Sequence, residues 1–279
     1  MDSRDQMSPT SGSSQSLEAL RLRLRAIVAV QEEAELRNFA HALRGDPRRG
    51  AQSLVERALR RLGALEDERD RVARMFALRA SLFEAGWRAV AGVDEVGVGP
   101  LAGPVVAAAV ILPERVDLPG INDSKKLTRE AREKLDLAIR EQAVAVSIGE
   151  VSPREIDQRN IYRASLEAMR LAVTGLVPEP DYCLVDARTI PQTPIAQQAL
   201  IHGDAIDGSI AAASIVAKVY RDHIMAELDS RHPGYGFARH MGYGTALHLE
   251  ALDRLGASAV HRRSFGPVAA MLDRATKPR

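Results

Sequence analysis

At Trp87 the period of the hydrophobic pattern changes, and this switch limits the possible folds more than any other feature of the chain. Before it, LEALRLRLRAIVAV and QSLVERALRRLGALEDERDRVARMFALRASLFEAG place apolar residues at i, i+3, i+4 and i+7, the spacing of amphipathic helices. GDPRRG at 45–50 interrupts the run, with Asp46-Pro47 as a turn or helix start, so two or three helices are predicted over 17–86. After it, strand-like and helical runs alternate: AVAGVD, VVAAAVIL, a helix over 129–141, AVAVSIGEV, a helix over 161–173, and DYCLVD. The small-residue helix SIAAASIVAKVYRDHIMAELDSR follows. Interspersed strands and helices predict an α/β domain over 87–279, built on a mixed sheet. Residues 1–16 are polar, carry both signs of charge and read as a disordered tail.

Composition narrows the class. Hydrophobic residues make up 46% of the 279, enough for a full core, but aromatics are only 4%, so Ala, Val, Leu and Ile must build it. The single cysteine, Cys183, excludes an internal disulfide and a cysteine-based zinc site, and reads as a small buried hydrophobe. The N-terminus lacks the apolar core of a signal peptide. The uncharged stretch 96–113 contains Gly97, Gly99, Pro100, Gly103 and Pro104, which would break a spanning helix. A cytoplasmic protein without a membrane segment is predicted. The formal net charge of +1 gives no global sign of a nucleic-acid partner, and residues 1–86 carry 15 Arg against 13 acids. Residues 218–279, however, hold ten Lys+Arg against six Asp+Glu, and six of the seven histidines follow Leu200.

The sharpest local feature is Asp94-Glu95, which closes the apolar run AVAGV and opens the glycine-rich loop VGVGPLAG. Adjacent acids after a buried strand are costly unless their charge is compensated. Asp186 ends DYCLV in the same way. If both strands end at one sheet edge, three carboxylates meet where ligands gather in open α/β sheets. Oxygen ligands without Cys or His suit Mg²⁺ or Mn²⁺. In HGDAIDGSIAAAS, Asp207 and Ser209 are the better helix caps, but spacing alone does not choose between Asp204 and Asp207 as a fourth carboxylate. GVGPLAG is no dinucleotide fingerprint, because Pro100 and Pro104 bracket it and a β-branched strand follows where a helix should open.

Taken in order, AGVDEVGVGPLAGPVVAAAVIL, NDSKKLT, LVDA, HGDAIDGSIAAASIVAKVYRD and HPGYGFARHMGYGT…H…HRRSFGPV resemble the successive motifs of bacterial ribonuclease HII over residues 88–267. The resemblance implies a ribonuclease H fold, a mixed five-stranded sheet with flanking helices and a helical C-terminal part. It implies cleavage of RNA in RNA–DNA hybrids and a cut 5′ of a single ribonucleotide in duplex DNA, leaving 5′-phosphate and 3′-hydroxyl ends. The family's four metal-binding carboxylates fall on Asp94, Glu95, Asp186 and Asp204, which chooses Asp204 over Asp207. Its junction-reading loop falls on Gly97-Val98-Gly99, its sugar-packing tyrosine on Tyr243, and a stretch near substrate phosphates on Ser124, Lys125 and Lys126. Some members also carry an N-terminal region similar to DPRRGAQSLVERAL.

The chain departs from the family pattern at Val98, where Arg or Lys is usual, and at His202 and Met241, where lysine is common. The resemblance therefore predicts weaker substrate binding or turnover with the reaction unchanged; a hybrid-binding protein without catalysis and a phosphate-handling α/β enzyme are the competing classes. Two divalent ions about 3.5–4 Å apart would hold the attacking water and the leaving 3′-oxygen. Clustered carboxylates without metal should have raised pKa values. Arg221, Arg239, Arg262 and Arg263 are read as phosphate contacts or structural arginines. Arg48, Arg49, Arg57, Arg60 and Arg61 either bind duplex backbone or merely accompany packing of the extension. Removal of residues 1–85 is expected to leave metal-dependent cleavage intact, and the protein is expected to act as a monomer.

Overall fold

The computed structural model describes residues 15–30 and 32–276, so the tail predicted over 1–16 lies outside it except for Gln15 and Ser16. The chain divides into two compact units, the first ending at Arg71 and the second beginning at Val72.

The first unit comprises α1 (Leu17–Val30), α2 (Glu33–Ala42) and most of α3 (Arg49–Met75). Its core follows the predicted helical spacing: Leu20, Leu24 and Ile27 meet Leu36, Phe39 and Ala40, with Leu54, Ala58 and Leu62 from α3. The break at GDPRRG is held by Asp46, whose carboxylate accepts from the Arg48 backbone N–H at 3.0 Å and pairs with the Arg48 guanidinium at 2.6 Å. Arg48 therefore serves the turn before α3, which removes it from the set of free phosphate ligands.

The second unit takes the end of α3 from Val72 and then α4 (Ala77–Glu84), a fourth helix where two or three were expected. The sheet strands are β1 (Val90–Val96), β2 (Val105–Ile111), β3 (Ala145–Val151), β4 (Tyr182–Asp186) and β5 (Ala196–Leu200). A 3-10 turn (Ser124–Lys126) and α5 (Arg129–Gln142) precede β3, while α6 (Pro153–Arg159) and α7 (Ile161–Thr174) follow it. After β5 come α8 (Gly203–Ile206), α9 (Gly208–Arg231), α10 (Phe237–His240), α11 (Ala246–Leu255) and α12 (Gly266–Thr276). The sheet order is β3-β2-β1-β4-β5, with β1, β2 and β3 antiparallel to one another in turn and β1, β4 and β5 parallel.

The strand period of two explains the layers. In β2 every residue is buried. Val105, Ala107, Ala109 and Ile111 face α7, whereas Val106, Ala108 and Val110 face α9 and α5. Small residues on both surfaces let the helices lie close, which is how a chain poor in aromatics fills its core. Contact is close at Gly92 of β1, where a Cβ would collide with the Ser209 carbonyl at the start of α9, and at Gly149 of β3, where it would collide with the Ala168 carbonyl of α7. Asp207 caps α9, as its position suggested, accepting from the Ser209 and Ile210 N–H groups at 2.8 and 3.1 Å.

β5 has no strand signature in the sequence. AQQAL is polar and half-exposed because it lies at the sheet edge, and Gln197 is held from outside by the Ile190 N–H and carbonyl at 2.7 and 2.9 Å. α4 joins the sheet's core through Leu82, packed with Val90, Leu184 and Ile210. Buried Arg79 donates to the Leu112 and Pro113 carbonyls. Among the described residues no helix is long and apolar enough to cross a membrane.

Candidate metal centre

Asp94 and Glu95 are neighbours at the end of β1, so their side chains leave opposite faces of the sheet. Asp94, on the α9 face, is 5% exposed and accepts from the Glu95 N–H at 2.7 Å, with the Ser214 hydroxyl favouring its charged form. Ser214 in turn lies 2.9 Å from Ser124 Oγ. Glu95, on the α7 face, is met by Arg188 at 3.5 Å, and Arg188 is anchored by the Ser165 hydroxyl and the Tyr162 ring. Asp186 ends β4, the parallel neighbour of β1, and accepts from the Gly203 N–H at 2.7 Å. At this edge Asp94, Glu95 and Asp186 each bring a carboxylate oxygen within 4.8 Å of the other two.

Burial is the first cause of high carboxyl pKa values here. It drives Asp94 well above its ordinary value, with the Glu95 charge adding to it. Burial also raises Glu95 against the opposing pull of Arg188, and raises Asp186 against the Gly203 N–H. Glu95 Oε2 is buried without a hydrogen-bond partner. Three converging carboxylates, an orphaned buried oxygen and no sulfur or imidazole in the set fit a hard divalent cation. Asp204, 5% exposed in α8, falls outside this set of three, although its charge helps raise the Asp94 and Asp186 carboxyls, and its Oδ2 is 3.4 Å from Lys125 Nζ.

The predicted substrate residues are distributed around this edge. Ser124 is buried against Ser214, whereas Lys125 and Lys126 are exposed. Val98 is half-buried and packs on the core shared with α7. Gly97 has φ +89, and a Cβ there would strike Arg221 and the Pro104 carbonyl. Tyr243, 46% exposed, sets its Cε1 3.6 Å from the place of a Cβ on Gly99. His202 is exposed and Met241 half-buried, both with left-handed backbone.

Two of the arginines read as possible phosphate contacts are structural. Arg262 is buried and donates to the carbonyls of Gly97, Val98, Gly103 and Pro104 at 2.6 to 3.1 Å. Arg221, equally buried, donates to the Ala102, Pro104 and Met241 carbonyls. Together they strap the glycine loop from within, while Arg239 and Arg263 are exposed. Arg188 and Ser214 escaped the sequence reading because neither belongs to a periodic or charged pattern; the one available signal for Arg188 was a cation two residues after a strand-ending acid.

A mixed sheet that gathers acids at the ends of two neighbouring parallel strands makes a site suited to a divalent cation. The family model for ribonuclease HII matches residues 91–268, and that for the ribonuclease HII N-terminal domain matches residues 23–79. A ribonuclease HII of Desulfitobacterium hafniense (strain Y51) is 47% identical over 91% of this chain and 97% of its own. One from Geobacillus kaustophilus (strain HTA426) is 53% identical over 82% and 88%. The crystal structure of ribonuclease H2 from Pyrococcus horikoshii OT3 superposes with a TM-score of 0.59 at 28% identity, covering 68% of this chain and 99% of that one. The chain belongs to the ribonuclease HII family and is a ribonuclease H enzyme.

Proposed function

We propose that the enzyme hydrolyses the RNA strand of RNA–DNA hybrids and cuts 5′ of ribonucleotides embedded in duplex DNA, by a two-metal mechanism. The observation that carries this is the convergence of Asp94, Glu95 and Asp186 within 4.8 Å, with one Glu95 oxygen buried and unpartnered. These three would hold Mg²⁺ or Mn²⁺, with Asp204 alongside. Cations so held supply neutralisation of the scissile phosphate and activation of the attacking water. Lys125, with its side chain 79% exposed beside Asp204, would meet a phosphate oxygen of the cleaved strand. The Tyr243 ring over Gly99 offers an apolar face to the sugar at the junction. With the Gly97 and Val98 carbonyls taken by Arg262, the backbone N–H groups of the loop are left to read the ribose 2′-OH, the group that separates RNA from DNA. We further assign catalysis to residues 87–279 and a supporting role to 17–86, in a monomer.

The test is a DNA duplex containing one ribonucleotide, incubated with Mn²⁺ or Mg²⁺ beside an all-DNA duplex and Asp94→Asn protein. Cleavage by the wild type alone, and only at the ribonucleotide, supports the proposal. Binding without cleavage would instead make the chain a hybrid-binding protein, and an absence of both binding and cleavage would reject both readings.

A further inference from the structure

Behind Tyr243 lies a group of three buried histidines, His240, His248 and His261, none more than 8% exposed. Their hydrogen bonds determine where each proton sits. The Ser258 N–H donates to His261 Nδ1 at 3.0 Å, so the proton of that ring is on Nε2. From there it is donated to His248 Nε2 at 3.1 Å, which leaves the His248 proton on Nδ1. His248 Nδ1–H donates to the Tyr243 carbonyl at 2.9 Å. His240 is oriented likewise, accepting from the Gly242 N–H at 3.2 Å and donating to the Tyr235 carbonyl at 2.8 Å. The His240 and His248 rings stack with centroids 4.4 Å apart, and Phe237 meets both edge-on.

Tyr243 itself is anchored through its backbone. Its N–H donates to the His240 carbonyl at 2.9 Å, and its carbonyl also accepts from the Thr245 N–H at 2.8 Å. On the preceding residue, the Gly242 carbonyl accepts from the Leu101 N–H at 2.8 Å. The ring, by contrast, is half in solvent with Gly99 beneath it. Where the ring stands is thus decided by what holds the main chain, and the only side-chain donor on the Tyr243 carbonyl among the described residues is His248.

We infer that His248, itself oriented by His261, is a positioning residue: its Nδ1–H on the Tyr243 carbonyl holds the exposed ring over Gly99, where the junction sugar would pack. The inference rests on the proposed role of Tyr243. It is tested with His248→Leu, which removes the donor, and His248→Asn, whose amide N–H can replace Nδ1–H. Steady-state cleavage of the single-ribonucleotide duplex, Mn²⁺ binding and the ring resonances of ¹³C-labelled tyrosine are the readouts. His248→Leu should raise KM about tenfold, the scale of one well-placed hydrogen bond, with kcat and Mn²⁺ affinity little changed. His248→Asn should recover most of that loss. In a Tyr243→Ala background, His248→Leu should add nothing further.

An unchanged KM in His248→Leu, or additive losses in the double variant, would overturn the inference. A normal KM in Tyr243→Ala alone would instead sink the role of Tyr243. The resonances still separate the two cases, because a Tyr243 ring signal that moves in His248→Leu and returns in His248→Asn reports positioning whatever the ring does for substrate. An unmoved signal overturns positioning. Should His248→Leu fail to fold, His261→Leu against His261→Gln makes the same comparison, since the glutamine amide can still donate to His248.

Discussion

Asp94 has opposed roles in stability and chemistry. It is buried beside Glu95 with its pKa held well above the carboxylate range, so its charge costs the metal-free protein stability. Asp94→Asn should abolish cleavage yet raise the melting temperature in chelator, at about 2–4 °C for each kcal/mol regained. The wild type should gain about 2.7 kcal/mol at a divalent-ion concentration 100 times Kd, and the Asn variant much less. Thermal melts with and without Mn²⁺ check both; equal metal-induced shifts would contradict the assignment. Val98 is the second residue-scale case. Its side chain packs on the core shared with α7, so the loop keeps its course without the usual cation. Val98→Arg should improve affinity or rate, most at low salt, and a salt series of cleavage assays showing no gain in either would remove the case for a missing contact.

At the scale of elements, the buried straps and close contacts matter more than propensity. A Cβ at Gly92 would enter the Ser209 carbonyl, so Gly92→Ala should cost roughly 3 kcal/mol or more by forcing β1 and α9 apart, as read in urea unfolding. The histidine group predicts a pH dependence. Burial, helped by the neighbouring His248, pushes His261 down to about 4 from an ordinary 6.5. Between these values the unfolded chain binds the proton and the folded one does not. The stability is therefore complete above pH 6.5 and declines as pH falls toward 4. Urea unfolding at pH 7 and pH 5 should show this decline, and His261→Leu should flatten it. Most elements were legible from period alone: predicted helices over 129–141 and 161–173 appear as Arg129–Gln142 and Ile161–Thr174. β5 was not, because an edge strand needs no continuous apolar run.

For the whole molecule, the pattern change at Trp87 and the division into compact units do not coincide. The second unit begins at Val72, and α4 supplies Leu82 and the Arg79 clamp to its core. Removal of residues 1–71 should therefore leave a folded, cleaving enzyme, whereas removal of 1–85 strips a core helix and should lower the melting temperature by many degrees. Circular-dichroism melts of the two truncations decide it, and equal stability would show α4 to be dispensable. Charge is likewise a poor whole-chain quantity: the +1 sums acids gathered at one sheet edge and a basic C-terminal quarter.

Strand-ending acids, glycine-loop placement, the cap at Asp207 and the alternation of β2 were all determined by local sequence, since each depends on neighbours within a few residues. Tertiary structure alone decided that Arg221 and Arg262 serve carbonyls rather than phosphates, that Arg188 and Ser214 attend the acids, and that three histidines stand behind Tyr243. The physical reason is shared. A hydrogen-bond partner more than 100 residues away, as Arg221 is from Pro104, leaves no periodic trace in sequence, and burial makes that distant pairing obligatory.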